Sequence, residues 1–474
     1  MRCVISESTL LFGTSGTKDP QELLAQLLDH NSLSSAFVAK IAPSQLRGID
    51  RLSPDQFNRN LSEQVEIIQR KCSNASYRFS PYLESLRLKS RDKLPRVIAL
   101  ATVRDRLVLH QLKELLHLVF PECVARKLPN QYIREIRDFQ SINEGLSTVR
   151  ADIRSFYDRI NHKILFEILE SRLPKNILRL LIKAVRNPII SYKKRSIGDR
   201  SLRKIGEGVP QGLAISNILA EIYLHELEED IIESVQFYLR YVDDILLFTK
   251  FGQEEAFYQQ LKQAFKNVGL DLADEKSSVA KPGECFEYLG YDVESSDISI
   301  RKTTVDRFID SLAAHFASFK YQSDPRYRAP WLDAEAHVRI FLDELNERIT
   351  GAISGNRRYG WLFYFLEITD LKQLYEIDAA IQRLWERFID SNIPHSLKRL
   401  VRAYYEAKFN QHGGYIHNYN QYSTLRDKMK FLQYRGFVDP EAETRYTEDN
   451  IEHMYARLQY NSISRLEADV GTIS

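Results

Sequence analysis

Phe237-Tyr238-Leu239-Arg240-Tyr241-Val242-Asp243-Asp244-Ile245-Leu246-Leu247-Phe248 is the stretch whose reading decides the fold. β-Branched and aromatic residues flank two adjacent acids, a pattern that predicts two short strands joined by a tight turn. Asp suits the turn, because it bonds its own backbone and tolerates unusual angles. The informative part is charge. Two neighbouring carboxylates between apolar strands repel each other and lose hydration unless a cation neutralises them. A hard divalent ion with oxygen ligands, Mg²⁺ above all, meets that need. A water-exposed hairpin tip would need no ion, so partners elsewhere in the chain must decide.

Upstream, Val149-Arg150-Ala151-Asp152-Ile153-Arg154-Ser155-Phe156-Tyr157 reads as a short strand ending in another acid, with a helix from about His162 to Leu173. An Asp at the end of a buried strand is costly without a partner, and the same metal pair could serve it. Between the two acidic sites lies Gly206-Glu207-Gly208-Val209-Pro210-Gln211-Gly212, a loop whose glycines let backbone approach a ligand closely. A helix from Ser216 burying Ile218, Leu219, Ile222, Tyr223 and Leu227 leads from it to the hairpin. Downstream, Gln253 to Val268 is helical by period, and Phe286 to Val293 reads as one strand kinked at Gly290.

At 474 residues the chain is too long for one core, so two or three packed units are expected. A formal net charge of +2 leaves affinity for nucleic acid to local patches. One such patch is residues 70–106, with ten basic residues against three acidic ones, interleaved with Tyr77, Phe79 and Tyr82. The cysteines (Cys3, Cys72, Cys123, Cys285) form no C-x-x-C pair, which argues against a zinc ribbon or a disulfide framework. No apolar run is long enough to span a membrane and no signal pattern opens the chain, so a cytoplasmic protein is expected.

Asp19 caps a helix over Pro20–Leu28, and Ser53-Pro54 opens another running through Ile68. Leu94–Leu100 reads as a strand, Asp105–Phe120 as a helix and Arg186–Ile205 as a basic hairpin. Beyond residue 300 the periodicity is helical, roughly 302–318, 333–350, 371–388, 396–409, 423–433 and 447–460. Trp331, Trp361 and Trp385 should give that region its own core, with a linker at Tyr321–Pro330.

These stretches together resemble a prokaryotic reverse transcriptase, the type shared by group II introns, retrons and defence-associated enzymes. The resemblance covers roughly residues 46–295. Arg47-Gly48-Ile49-Asp50 with Tyr77-Arg78-Phe79 resembles the entry to the fingers, and Arg96-Val97-Ile98 through Arg104-Asp105-Arg106 the fingers strand and helix. Asp152 to Tyr157 resembles motif A, Gly208 to Gly212 with Ser216-Asn217 motif B, and Tyr241-Val242-Asp243-Asp244 motif C. Lys276 sits as the motif D lysine does, and Tyr288-Leu289-Gly290-Tyr291 resembles the primer grip. With no maturase, nuclease or RNase H segment and no Val-Thr-Gly element, the chain is most similar to the antiphage enzymes.

The resemblance implies an α+β right-hand polymerase. An N-terminal extension (1–45) would precede fingers and palm (46–295, an antiparallel sheet plus helices), a helical thumb (296–395) and a helical C-terminal region (396–474). It implies an RNA-directed DNA polymerase using two Mg²⁺ ions, with Mn²⁺ as a substitute. Asp152 and Asp243 would bridge the ions, the Ile153 carbonyl would add a ligand, and Asp244 would support them from the side. Lys276 would protonate the leaving pyrophosphate. Arg96, helped by Lys89, Arg91 or Lys93, would grip the triphosphate. Tyr157 would reject a 2′-hydroxyl, Gln211 and Gly212 would lie against the incoming base pair, and Tyr288 to Tyr291 would hold the primer end. Implied partners are deoxynucleotides, an RNA template (a dedicated non-coding RNA included), a DNA product, and a second copy or a partner protein. Competing readings are an RNA-templated RNA polymerase, an untemplated or protein-primed nucleotidyl transferase, and an inactive RNA-binding scaffold.

Overall fold

Short strands alternate with helices through the first two thirds of the chain and pair into three small sheets among the described residues, with a fourth in the mainly helical last third. The computed structural model describes residues 19–87, 95–124, 127–191, 206–295, 297–322, 329–389, 396–441 and 446–471. β1 (Tyr82–Arg87) and β2 (Arg96–Leu100) pair antiparallel. β3 (Leu146–Asp152) belongs to the central sheet, while β4 (Ile189–Ile190) returns to β1 as its parallel partner. β5 (Phe237–Tyr241) and β6 (Asp244–Lys250) form the Asp-Asp hairpin. With β3 and β7 (Ser278–Ala280) they make the antiparallel central sheet, in the order β5-β6-β3-β7. β8 (Phe286–Tyr288), β9 (Tyr291–Glu294) and β10 (Asp297–Ile300) form a meander. Farther on, β11 (Ala352–Ser354) lies between β12 (Arg357–Tyr359) and β13 (His417–Asn418), strands too short for their sequences to announce.

Alternation along β6 organises the interior, because successive side chains point to opposite faces. Ile245 and Leu247 join Val149 and Ala151 in one core with the helix Ser216–Ser234 and the N-terminal helices. Leu246 and Phe248 face a second core, shared with Tyr288, Tyr291 and the helices after residue 300. Both faces of the strand are therefore buried, which is why it reads as a continuous apolar run. A third, smaller core gathers Tyr419, Phe431, Leu432, Tyr455 and Leu458. The helix Glu448–Gly471 from this region reaches back to the start of the fold, where His453 lies 3.2 Å from Asp55. This is a mixed α+β architecture of helices and mainly antiparallel sheets, with parallel pairing at β1–β4 and β11–β13.

Several expectations need correction. The helix opening at Ser53 is two helices, Pro54–Asn58 and Leu61–Ser73, because Asn58-Arg59-Asn60 favours a turn over a continued helix. Phe286 to Val293 is a hairpin and not a kinked strand. Leu289 and Gly290 both take positive φ (49° and 82°), the conformation a two-residue hairpin turn demands. In the Asp-Asp hairpin the left-handed residue is Val242 (φ 59°), and Asp244 already belongs to the strand. Trp361 and Trp385 are buried, but Trp331 is exposed and donates to the Gly436 carbonyl (3.2 Å). The helical region shares its main core with the central sheet instead of closing one alone. Most of the basic hairpin and of the expected linker, and Lys89, Arg91 and Lys93, lie outside the described residues.

The helix Val103–Val119 starts where Thr102, in extended conformation, accepts the Asp105 N–H. Asp105 is almost wholly buried, and its carboxylate accepts from the Tyr77 hydroxyl (2.7 Å), the Ser80 N–H (3.0 Å) and the Thr102 hydroxyl (2.8 Å). Burial pushes this carboxyl above its ordinary range, and the three donors oppose the shift. Asp105→Ala is expected to destabilise the fold by about 3 kcal/mol, since it leaves three donors unpaired; urea unfolding measures it. The folded state holds the Asp105 proton more tightly than the unfolded chain does. The parent's advantage over the variant should therefore widen as pH falls from neutral through the raised titration range.

Candidate active site

The antiparallel register sets Asp152, the last residue of β3, directly opposite Asp244, the first of β6. Like charges facing each other across a ladder destabilise it, so each must find its own counter-charge. Asp152 accepts from Lys276 Nζ (2.5 Å), carried by the short 3₁₀ turn Asp274–Lys276. Asp244 is held by a guanidinium fork from Arg150, at 2.9 Å from Nε and 2.8 Å from Nη2. Arg150 stands two residues before Asp152 and so projects from the same face of the sheet. Asp243 sits in the hairpin turn, next to Asp244. Burial pushes its carboxyl above the usual range and Asp152 pushes it further, against the opposing charges of Lys276 and Arg96. Burial also raises Asp244, and the Arg150 fork pulls it back.

The backbone at this end of the sheet is tied on every side. Ile153 N–H donates to the Asp243 carbonyl (2.9 Å), and Ala273 N–H to the Asp152 carbonyl (2.8 Å). Ile153 itself is buried and bridges to Leu272. Below the turn, Arg240 donates from Nη1 to the Val242 carbonyl (2.9 Å) and from Nη2 to Glu221 (2.6 Å) and Glu228 (2.8 Å). This buried cluster clamps a turn whose β-branched Val242 is in a strained conformation. Arg150 and Arg240 were absent from the candidate residues read off the sequence. Their signal was there: an Arg inside an otherwise apolar strand needs a carboxylate nearby.

The glycine-rich loop closes the remaining side. Val209 N–H donates to the Tyr157 carbonyl (2.7 Å), Gly208 N–H to the Ile160 carbonyl (2.8 Å), and Ala99 N–H of β2 to the Gln211 carbonyl (2.8 Å). Gly212 has φ 96°, and a Cβ there would meet Ile98 Cγ2 at 2.6 Å, so the loop lies on β2 only with glycine at that position. The Tyr157 hydroxyl donates to Asn217 Oδ1 (2.9 Å). Burial and the charges of Glu221 and Asp243 push the phenol well up, so it stays protonated. Arg96 opens β2 close enough to Asp243 for its charge to be felt there. Asp152, Asp243, Asp244, Lys276, Arg96, Tyr157, Gln211 and Gly212 are thus gathered around one end of the sheet. Tyr288, Leu289, Gly290 and Tyr291 are instead packed inside the second core, with the Tyr288 hydroxyl 3.3 Å from the Asp244 carbonyl.

Hard oxygen donors with unrelieved negative charge suit a Mg²⁺-type ion. Asp152 and Asp243 fit, because their mutual repulsion is opposed here by a backbone N–H at Asp243 and by lysine and arginine charges that an ion could supplement. Asp244 already spends both oxygens on Arg150.

Residues 88–293 match the family model for reverse transcriptase (RNA-dependent DNA polymerase), and over that stretch the chain is a reverse transcriptase domain. It is 34% identical over 102 residues to the Gag-Pro-Pol polyprotein of Simian retrovirus SRV-2, which covers 21% of this chain and 6% of the polyprotein's length. Protein YkfC of Escherichia coli (strain K12) is 22% identical over 349 residues, covering 61% of this chain and 88% of that protein. Among solved structures, telomerase from Candida albicans in complex with a TWJ fragment of telomeric RNA is 13% identical, with TM-score 0.42. That match covers 88% of this chain and 66% of the telomerase. No helix among the described residues is long and apolar enough to cross a membrane.

Removing Arg150 would leave Asp244, 15% exposed, without its cation. Arg150→Ala is expected to cost on the order of 3 kcal/mol in denaturant unfolding, less than a fully buried pair because both groups retain some solvent. Adding Asp244→Asn to that variant should recover part of the loss, as a double-mutant cycle would measure.

Proposed function

We propose that the chain is an RNA-templated DNA polymerase that extends a primer with deoxynucleotides. The observation that carries the reading is the gathering of Asp152, at the end of β3, with Asp243, in the turn next to its register partner Asp244, Lys276 bonding Asp152 and the Arg96 charge reaching Asp243. Bound there, two divalent ions would neutralise the attacking 3′-oxygen and the leaving pyrophosphate. Asp152 and Asp243 would hold them, with the Ile153 carbonyl as a further ligand, while Asp244, fixed by Arg150, would act as a support. Lys276 would release Asp152 and give its proton to the pyrophosphate. Arg96, and Lys93 with it, would take the triphosphate oxygens. Tyr157, held through Asn217, would stand where a 2′-hydroxyl would clash. Gln211 and Gly212 would lie against the new base pair. The buried Tyr288 to Tyr291 would act on the primer by fixing the hairpin, not by touching it with their rings.

The physiological role we assign is antiphage defence with a dedicated structured RNA. Support comes from the resemblance to defence-associated enzymes and from the helices between Lys302 and Gly471, more than a grip on a template–primer needs. Under this reading residues 46–295 are fingers and palm, 296–395 the thumb, and 396–474 a region for assembly and RNA binding.

Asp152→Asn with Asp243→Asn is the direct test, because it spares the Arg150–Asp244 fork. Mg²⁺-dependent incorporation should fall by at least about 10³-fold, as loss of charge neutralisation at a developing oxyanion does, with the unfolding midpoint unchanged or raised. Substantial synthesis by the folded variant would reject the site. Expressed with its flanking DNA, the parent should restrict phage and this variant should not; equal protection from both would reject synthesis-dependent defence.

Tyr157→Ala is expected to admit ribonucleotides. The ratio of kcat/KM for a deoxynucleotide over its ribonucleotide should drop at least about tenfold, the scale of one lost steric contact. An unchanged ratio would make Tyr157 a packing residue.

A further inference from the structure

Helix Leu400–Phe409 buries Leu400, Val401, Ala403, Tyr404 and Ala407. Its other face carries Arg402, Tyr405 and Phe409, spaced three and four residues apart and so aligned in one row. Core packing accounts for none of this row: Tyr405 is 47% and Phe409 78% exposed. The two rings stand nearly parallel, 25° apart in plane with centroids 6.4 Å apart. Across from them, on the helix Lys372–Phe388, Tyr375 is also half exposed, with the Arg399 guanidinium 5.9 Å from its ring centre. Together they line an open groove of about 590 Å³.

The guanidiniums are pre-positioned. Arg399 Nε lies 3.6 Å from Asp378 and Arg402 Nε 3.4 Å from Glu406, and the Arg402 guanidinium spreads over the Tyr415 ring at 4.4 Å. Both arginines remain more than 60% exposed, so their outer N–H groups are available to another ligand. Scattered apolar residues are ordinary on a surface. Three open rings and two arginines converging on one groove are the elements of a stacking platform for unpaired bases. Each base has a face for a ring, and each phosphate has oxygens for a guanidinium. A purely apolar partner would strip water from the exposed N–H groups of both arginines and give them no acceptor in return.

We propose that this groove binds a single-stranded nucleic acid segment by stacking bases on Tyr405, Phe409 and Tyr375 while Arg399 and Arg402 hold its phosphates. The site is separate from the carboxylate cluster and does not depend on polymerase chemistry. RNA and DNA share the recognised features, so the two are separated by experiment.

Fluorescence anisotropy with labelled 12-residue oligo(U), oligo(dT) and a blunt duplex, on the full chain, reads the groove. Tyr405→Ala with Phe409→Ala, both surface substitutions, should weaken single-strand binding at least about tenfold, the scale of stacking losses, and change duplex binding little. Tyr405→Trp with Phe409→Trp should restore it. Whichever of oligo(U) and oligo(dT) loses more identifies the strand. Unchanged single-strand affinity, or equal loss for duplex, would overturn the proposal. So would a change of oligomeric state in the Ala variant with affinity retained, which would make the groove a contact between copies. The Asp152→Asn, Asp243→Asn variant should bind like the parent, so failed synthesis and failed groove binding are read separately.

Discussion

The register of one pair of strands imposes the constraint that the rest of this end of the molecule answers. Pairing β3 with β6 sets Asp152 against Asp244, and the hairpin turn adds Asp243 next to Asp244, near enough for Asp152 to repel it. Three carboxylates gathered in a partly desolvated place repel one another and call for opposing charge nearby. The fold distributes the opposition unevenly. Arg150 takes Asp244 completely with a two-pronged fork, Lys276 reaches Asp152 through a single flexible amine, and Asp243 has its own backbone N–H and the longer-range influence of Lys276 and Arg96. The gradient runs from a satisfied carboxylate to an unsatisfied one, and it distinguishes a structural acid from the two with capacity for a ligand.

Around that constraint, separate segments of chain are fastened by backbone hydrogen bonds and not by side chains alone. Asp152 is held by Ala273, Asp243 by Ile153, Tyr157 by Val209, and Gln211 by Ala99. Segments far apart in sequence are thus locked at main-chain precision, which a site whose chemistry depends on sub-ångström placement requires. Val242 shows the same logic. A β-branched residue at φ 59° is unfavourable alone, and it persists because Arg240, bound to Glu221 and Glu228, grips its carbonyl.

Much of this was legible in the sequence, and the physical reason is the same in each case. Charges placed inside apolar runs, as at Asp152 and Asp243-Asp244, signal a structure that must compensate them. Glycines at fixed places in the loop before Ser216 signal close backbone approach, and Gly212 against β2 is such a place. Periodicity located the long helices after residue 300 because each buries a continuous stripe. Period did not reveal which core that stripe would enter, so the sharing of the second core with Leu246 and Phe248 could not be read. Turn conformation was legible at Leu289-Gly290 only as a kink, since a hairpin and a bent strand place the same residues in the same order. The partners of Arg150 and Arg240 depend on register and helix placement, which local sequence leaves open. Trp331 departs from the core expected of a large ring because its indole N–H finds the Gly436 carbonyl at the surface.

The two-faced burial of β6 has a bearing on how the molecule can move. Leu246, Phe248, Tyr288 and Tyr291 belong to the core that also contains the helices after residue 300, while Ile245 and Leu247 belong to the core on the other side. Swinging the helical region away as a rigid lever would uncover those four side chains, at about 1.5–3 kcal/mol for each. Thermal energy does not sustain a hinge of that kind. Sliding of packed surfaces by an ångström or two, with the contacts kept, remains inexpensive. The central sheet then serves as a fixed keel, and any widening of the space above the carboxylates comes by shear along its flanks.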